Sequence, residues 1–286
     1  MDIDQARTFL AITAHGSFLE ASKQLHLTQS TVSARIQRLE EELGTRLFVR
    51  NRSGASLTLA GRRFIDYAKR LVLTADQARD DIGLPERYRA SLRIGGRIAL
   101  WEGFLPQWVG WMRRQATDVV IHSEIGFEED LMHRLIEGSL DLGLMYTPRH
   151  TPGLIVEHLF DETLVLVSSR ANETGPGEDY IYIEWGPGFY AQHAQSYPDL
   201  ARPSQLANIG WLGIQLALAN GGSCFLPARM AATFIAAGRL HRVSGSPKYV
   251  HPAYMVYPRD SDNPVMAQAV TGLRELAMQE KVSAVS

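Results

Sequence analysis

The chain has 286 residues, 29 Lys and Arg against 31 Asp and Glu, and 45% hydrophobic residues. That length suits one small domain with one or two mid-sized ones, each with a real core. A single cysteine, Cys224, excludes an intrachain disulfide and fits a cytoplasmic, reducing setting. With no run near 18 apolar residues, and a start at Asp2 and Asp4 before an amphipathic helix, neither a membrane anchor nor a signal peptide is expected.

In chain order, Ser17 and Glu20 form an S-x-x-E capping box ahead of Phe18, Ala21 and Leu25 at helical spacing. His26 and Leu27 make a corner, and Thr28 caps a second helix whose apolar stripe is Val32, Ile36, Leu39 and Leu43, closed by Gly44. Opposite that stripe lie Ser30, Ala34, Gln37 and Arg38, with Gln29, Thr31, Ser33 and Arg35 on the flanks. Small uncharged groups in the first turn admit a helix to the major groove, where Gln pairs with adenine and Ser or Thr serves either base edge. Gln29, Ser30, Thr31, Ser33 and Ala34 are therefore expected on base edges, and Arg35 and Arg38 on the backbone. Arg46 to Arg52 and Ser56 to Gly61 read as two short strands around a basic tip, a wing that brings Arg50 and Arg52 to phosphates or a minor groove. The overall charge of −2 hides this local balance: residues 21–63 carry eight Lys and Arg against three acids, Glu40 to Glu42.

The order Phe9-Leu10-Ala11-Ile12, Gly16-Ser17-Phe18, Ala21-Ser22, Thr28-Gln29-Ser30, Val32-Ser33, Leu39-Glu40, Leu43-Gly44, Leu47-Phe48, Arg50, Leu57-Thr58 and Ala60-Gly61 resembles the N-terminal region of LysR-type transcriptional regulators, without gaps over some 60 residues. The resemblance implies a winged helix-turn-helix, a long dimerising helix and a C-terminal effector domain like periplasmic binding proteins. It also implies a homotetramer that binds promoter DNA and responds to a small molecule.

Beyond the wing, Phe64, Ala68, Leu71, Ala75, Ala78 and Ile82 recur at alternating intervals of four and three. That is a coiled-coil seam, which suits a close partner helix and hence a homodimer. Gly83-Leu84-Pro85 stops it. Residues past 91 alternate strands and helices, as in an α/β sheet. The expected strands are Leu92–Gly96, Val119–Glu124, Asp141–Tyr146, Thr163–Ser168, Tyr180–Glu184, Gly221–Pro227 and Tyr249–Tyr257. The expected helices are Phe104–Arg114, Glu128–Glu137, Gly210–Asn220 and Val265–Met278. The phrase from Gly138 to Leu144 resembles the same point in the LysR effector domain. The chain thus divides into a winged helix-turn-helix at 1–60, a dimerisation helix at 61–83, a hinge at 84–91 and a two-lobed α/β effector-binding domain at 92–286.

Catalytic alternatives fail on spacing. Gly221-Gly222-Ser223-Cys224-Phe225 puts Phe225 where a nucleophile elbow needs Gly. Gly95-Gly96 lacks the rest of a dinucleotide fingerprint, and the nine histidines include no H-x-x-x-H pair. No enzyme, cofactor or metal site is expected. The competing reading is a non-catalytic small-molecule-binding or interaction protein that kept its helix-turn-helix as a packing element.

Strand ends of open α/β sheets point into a ligand crevice. The first lobe offers Ile98, Ala99, Leu100 and Trp101 after its first strand, Phe127 and Glu128 after its second, and Tyr146 after its third. The second lobe offers Trp185 and Gly186. The stretch Arg97 to Gly103 has no hydroxyl where the family often holds a carboxylate, and Glu102 there disfavours an anion. An aromatic pocket with an acidic group is expected, preferring a neutral or cationic ligand to a small carboxylate. Leu100-Trp101-Glu102, the run Ile183 to Phe189 and His193 resemble the LysR subgroup typified by the enterobacterial repressor of the flagellar master operon.

Overall fold

A computed structural model describes residues 1–51, 54–200 and 203–285, with only the backbone at 50–51 and 281–285. The chain forms two compact units, Met1–Pro85 and Glu86–Ser286.

In the first unit α1 (Ile3–His15) starts on a capping box, in which the Gln5 amide donates to Asp2 and the Asp2 amide donates to Gln5, and ends at Gly16 with φ 62°. α2 (Phe18–Gln24) takes Ser17 as its cap, while the Glu20 carboxylate, expected to complete a box, pairs with Lys23 at 2.8 Å. His26 turns the corner at φ 53°, a left-handed conformation uncommon outside Gly. α3 (Gln29–Leu43) follows, with Thr28 accepting from the Thr31 amide and Gly44 closing it at φ 65°. Val32, Ile36 and Leu39 are buried against Phe9, Ile12 and Phe18, each burial contributing about 1.5–3 kcal/mol. Leu43, expected in the same stripe, is 39% exposed at the end of the helix.

The wing pairs β1 (Phe48–Asn51) with β2 (Gly54–Leu57) antiparallel. It is fastened to α3 by Glu40, whose carboxylate accepts from the Leu47 and Phe48 amides at 2.6 and 3.1 Å. The second strand stops short of the expected Gly61. Thr58 accepts from the Gly61 amide and caps α4 (Leu59–Ile82), and a Cβ at Gly61 would strike the Leu47 carbonyl. The expected seam on α4 divides. Phe64 and Ala68 lie in the unit's own core, whereas Leu71 is 36% and Ile82 85% exposed.

The second unit is built on a curled sheet with its strands in the order His241–Arg242, Leu154–Ser168, Tyr249–Pro258, Leu142–Met145, Ala90–Gly96 and Val119–Ile125, with Ser223–Pro227 also on Leu154–Ser168, and a separate sheet pairs Ile181–Ile183 with Gln205–Ala207. β3 (Ala90–Gly96), β4 (Val119–Ile125) and β5 (Leu142–Met145) are parallel and make the first lobe with α5 (Ile98–Trp101), α6 (Leu105–Gln115) and α7 (Glu128–Glu137). β6 (Leu154–Ser168) then crosses to the second lobe. There β7 (Ile181–Ile183), α8 (Pro187–Ser196), β8 (Gln205–Ala207), α9 (Gly210–Asn220), β9 (Ser223–Pro227), α10 (Ala228–Ala236) and β10 (His241–Arg242) follow. β11 (Tyr249–Pro258) returns antiparallel to β6, and α11 (Met266–Val285) packs on α6 and β6. The sequence pattern marks only the last six residues of β6 and gives no sign of α5, α8, β8, α10 or β10. Its first strand starts earlier, at Ala90, inside the segment expected as hinge. The Cys224 thiol is fully buried in β9, and burial pushes it up to about 12. No helix of the described residues is long and apolar enough to cross a membrane.

Candidate nucleic-acid interface and interlobe pocket

The first turn of α3 presents Gln29, Ser30 and Ala34 to solvent, with Thr31 and Ser33 half-buried on its flanks. The Thr28 hydroxyl lies 2.8 Å from those of both Ser30 and Thr31, so three hydroxyls cluster at the helix start. Ser33 and Gln37 line a groove between α3 and the wing. Arg38 is an exposed side chain loosely paired with Glu42 at 3.3 Å. Arg35 is turned inward instead: its guanidinium meets Asp4 at 2.7 Å and Thr8 at 3.4 Å on α1. Arg35 is thus a brace between two helices, which the helical wheel could not reveal because Asp4 lies 31 residues away. The Arg50 side chain and Arg52 lie outside the described residues.

On the same unit, Met1, Ile3, Leu43, Leu47, Tyr67, Leu71, Ala75 and Ala78 line an open apolar groove along α4. Tyr67 is 62% exposed there.

A separate pocket of about 170 Å³ opens between the two lobes of the second unit. From the first lobe it takes Arg97 beyond β3, Phe127 and Glu128 at the start of α7, and Tyr146 and Thr147 beyond β5. From the second it takes Glu184, Trp185 and Gly186 beyond β7 and Asn208 beyond β8, while His251 on β11 closes the floor. Five expected residues are therefore brought together: Phe127, Glu128, Tyr146, Trp185 and Gly186. Four are not. After Gly96 the chain leaves the strand for the single turn of α5, so alternation ends, and Ala99 and Leu100 drop into the hydrophobic core at 1% and 0% exposure. Half-buried Ile98 lies on the same turn, outside the pocket lining. Trp101 donates its indole N–H to the Glu124 carbonyl at 2.9 Å, over Gly96, and does not reach the pocket either.

Arg97 lines the pocket although no strand-end pattern in the sequence marks it. It is 8% exposed, stacks on the Phe127 ring at 4.6 Å, and its Nε lies 3.2 Å from Glu128. That approach is off the N–H axis, so Nε has no hydrogen-bond partner among the described residues. His251 is 6% exposed and its Nε2 is likewise unpartnered. Burial, and then the Arg97 charge, lower its pKa to about 4, so the ring is neutral. The His251 ring lies 4.1 Å from that of Tyr146 and 5.7 Å from that of Trp185, forming an aromatic shelf. Trp185 is anchored by donating to the Phe225 carbonyl at 2.8 Å.

Behind the shelf the Tyr146 hydroxyl donates to Glu162 at 3.2 Å, and Glu162 pairs with Arg229 of α10. Burial raises the Glu162 carboxyl, with Arg229 opposing it. The Arg229 guanidinium also donates to the carbonyls of Ala99 at 3.1 Å and of Glu102, fastening the second lobe to the end of α5. His193, one of the residues that carry the subgroup resemblance, is inside the second lobe, with its Nε2 2.9 Å from the Tyr180 hydroxyl.

Comparison with known proteins follows these two regions. Residues 3–62 match the family described as "Bacterial regulatory helix-turn-helix protein, lysR family", and residues 85–277 match the "LysR substrate binding domain". The chain is 31% identical over 274 residues to the HTH-type transcriptional regulator HdfR of Yersinia enterocolitica, covering 92% of each chain. This is the subgroup that the residues around Trp101 and Trp185 resemble. The fold is also that of CbnR, a LysR family transcriptional regulator, with TM-score 0.72, 19% identity, and 97% and 99% of the two chains covered. Full-length CbnR complexed with its target DNA gives 0.70 at 19% identity, covering 96% and 100%.

Proposed function

This chain belongs to the LysR family of bacterial transcriptional regulators, and we propose that it reads double-stranded promoter DNA with the first turns of α3 and answers to a small molecule held in the interlobe pocket. The observation that carries the first part is the division of α3 into a buried stripe, Val32, Ile36 and Leu39, and an exposed face of small polar groups. Gln29, Ser30 and Ala34 meet base edges directly, and Thr31 and Ser33 do so from the flanks. Arg38 contacts phosphate, as do Arg50 and Arg52 on the wing. Arg35 acts indirectly, by holding α3 on α1. The pocket residues Arg97, Phe127, Glu128, Tyr146, Trp185 and Gly186 hold the effector.

The apolar groove along α4 supports a homodimer in which Leu71, Ala75 and Ala78 meet a partner helix, and two such dimers make a homotetramer. The protein acts in the cytoplasm and performs no chemistry of its own. Domain limits at 1–60, 61–83, 84–91 and 92–286 accompany this reading. Genome-wide capture of DNA bound to the full-length protein tests it: recovery of a shared motif near promoters supports it, and recovery without sequence preference overturns it. The second outcome favours an interaction protein that keeps its helix-turn-helix for packing.

A further inference from the structure

The interlobe pocket lacks the simple acidic character that the sequence suggested, and its charges are divided between the lobes. The first lobe contributes one buried guanidinium, Arg97, with Nε unpartnered, next to Glu128. The second contributes the exposed carboxylate of Glu184. Between them His251 offers a ring nitrogen with no partner on a shelf shared with Tyr146 and Trp185. Buried polar atoms without partners are costly unless something that enters the site satisfies them.

We propose that this pocket takes a small zwitterion, of the size and chemistry of a neutral α-amino acid, with its carboxylate on Arg97 and its ammonium facing Glu184. The proposal rests on the reading of the pocket as the effector site. A simple anion satisfies Arg97 but meets two carboxylates, Glu128 and Glu184, against one cation. A simple amine satisfies Glu184 and leaves the Arg97 donors unused. Only a ligand with both charges matches both walls, and in doing so it ties one lobe to the other. The pocket, about 170 Å³ in volume, is of a size for a small molecule. The neutral His251 ring and the Asn208 side chain leave one polar contact for the ligand's body, so a hydroxylated or amide side chain is favoured over a purely aliphatic one.

The test uses full-length protein and matched probes in calorimetry and thermal shift. The neutral amino acids from alanine to leucine in size are compared with their counterparts lacking the amine and lacking the carboxylate. For L-threonine these are 3-hydroxybutyrate and 1-amino-2-propanol. The expected result is that at least one amino acid binds and that each of its truncated counterparts binds roughly 10- to 100-fold more weakly. Arg97→Gln and Glu184→Gln should each weaken the amino acid by a similar factor, Arg97→Lys less, and Thr147→Trp should block the pocket. Glu184 and Thr147 are exposed, so those two variants are informative even if Arg97→Gln folds poorly. A panel with no binding amino acid overturns the proposal, as does a truncated acid or amine that binds as well as the intact molecule. If such an acid or amine is lost in Thr147→Trp, the pocket reading stands and only the zwitterion falls. An amino acid whose binding ignores all four substitutions overturns both.

Discussion

Replacing His251 by Phe should remove a large part of the acid sensitivity of the Glu86–Ser286 unit. The imidazole is 6% exposed, wedged between Tyr146 and Trp185, and faces the Arg97 guanidinium, with Glu162 opposite it in the β6–β11 register. Burial and then Arg97 lower its pKa from 6.5 to about 4. Between those values the unfolded chain binds the proton and the folded one does not, so stability rises with pH across that window. The contribution is complete above pH 6.5 and is lost as pH falls through about 4. At 1.36 kcal/mol per pH unit the gap amounts to about 3 kcal/mol. Phe keeps the ring contacts, and because Nε2 has no partner among the described residues, no hydrogen bond through it is given up. All five tryptophans, at 101, 108, 111, 185 and 211, lie in this unit. Tryptophan fluorescence in urea therefore follows its unfolding alone. Between about pH 7 and pH 4 the wild type should lose about 3 kcal/mol more than His251→Phe. Glu162, whose raised carboxyl acts in the opposite direction, is common to both proteins and drops out of the difference. Parallel pH profiles would show that His251 is not a source of the acid sensitivity.

Three further outcomes are expected. Arg229→Met strands the Glu162 carboxylate, 4% exposed, and should cost about 3–5 kcal/mol by urea unfolding, with part recovered in the double variant with Glu162→Gln. By contrast Arg274→Ala, which breaks the more exposed pair with Glu157 at 2.7 Å, should cost under about 1 kcal/mol. Leu71→Glu should lower the assembly state seen by light scattering and weaken DNA binding with it, whereas an unchanged assembly would remove this face of α4 from the interface.

Local patterning made the first unit legible: the 3.6-residue stripe of α3, the Thr28 and Gly44 caps and the left-handed corner at His26 are all contacts within a few residues. What the sequence concealed there is long-range. Arg35 belongs to Asp4, and Phe64 belongs to Phe9, whose ring lies 5.0 Å away. In the second unit, strands buried on both faces, such as Leu142–Met145, read easily. β6 did not, because its first nine residues carry Glu157, His158, Asp161 and Glu162 in a strand that runs through both lobes. α8 was hidden by Pro187 and Gly188, residues that signal a loop, although Pro is well placed in a helix's first turn. The pocket was half legible. Strand ends locate Phe127, Glu128, Tyr146, Trp185 and Gly186, but the strand period ends at Gly96, so Ile98 to Trp101 turn elsewhere and Arg97 is the residue of that stretch that lines the pocket. Thr147, Glu184, Asn208 and His251 had no local signal beyond adjacency to strand ends or, for His251, a place in a crossing strand.

Whether the exposed face of α3 reads DNA sequence is measured by fluorescence anisotropy of full-length protein on a captured promoter fragment and on its scrambled counterpart, across salt concentrations. Affinity should fall steeply with salt on both, with a preference for the promoter fragment that persists. Arg38→Ala should flatten the salt slope by about one on both fragments alike, and a bulky Ser30→Trp should remove the preference while leaving the nonspecific affinity. Equal affinity for promoter and scrambled DNA, or a preference untouched by Ser30→Trp, would show that this face of α3 does not read sequence.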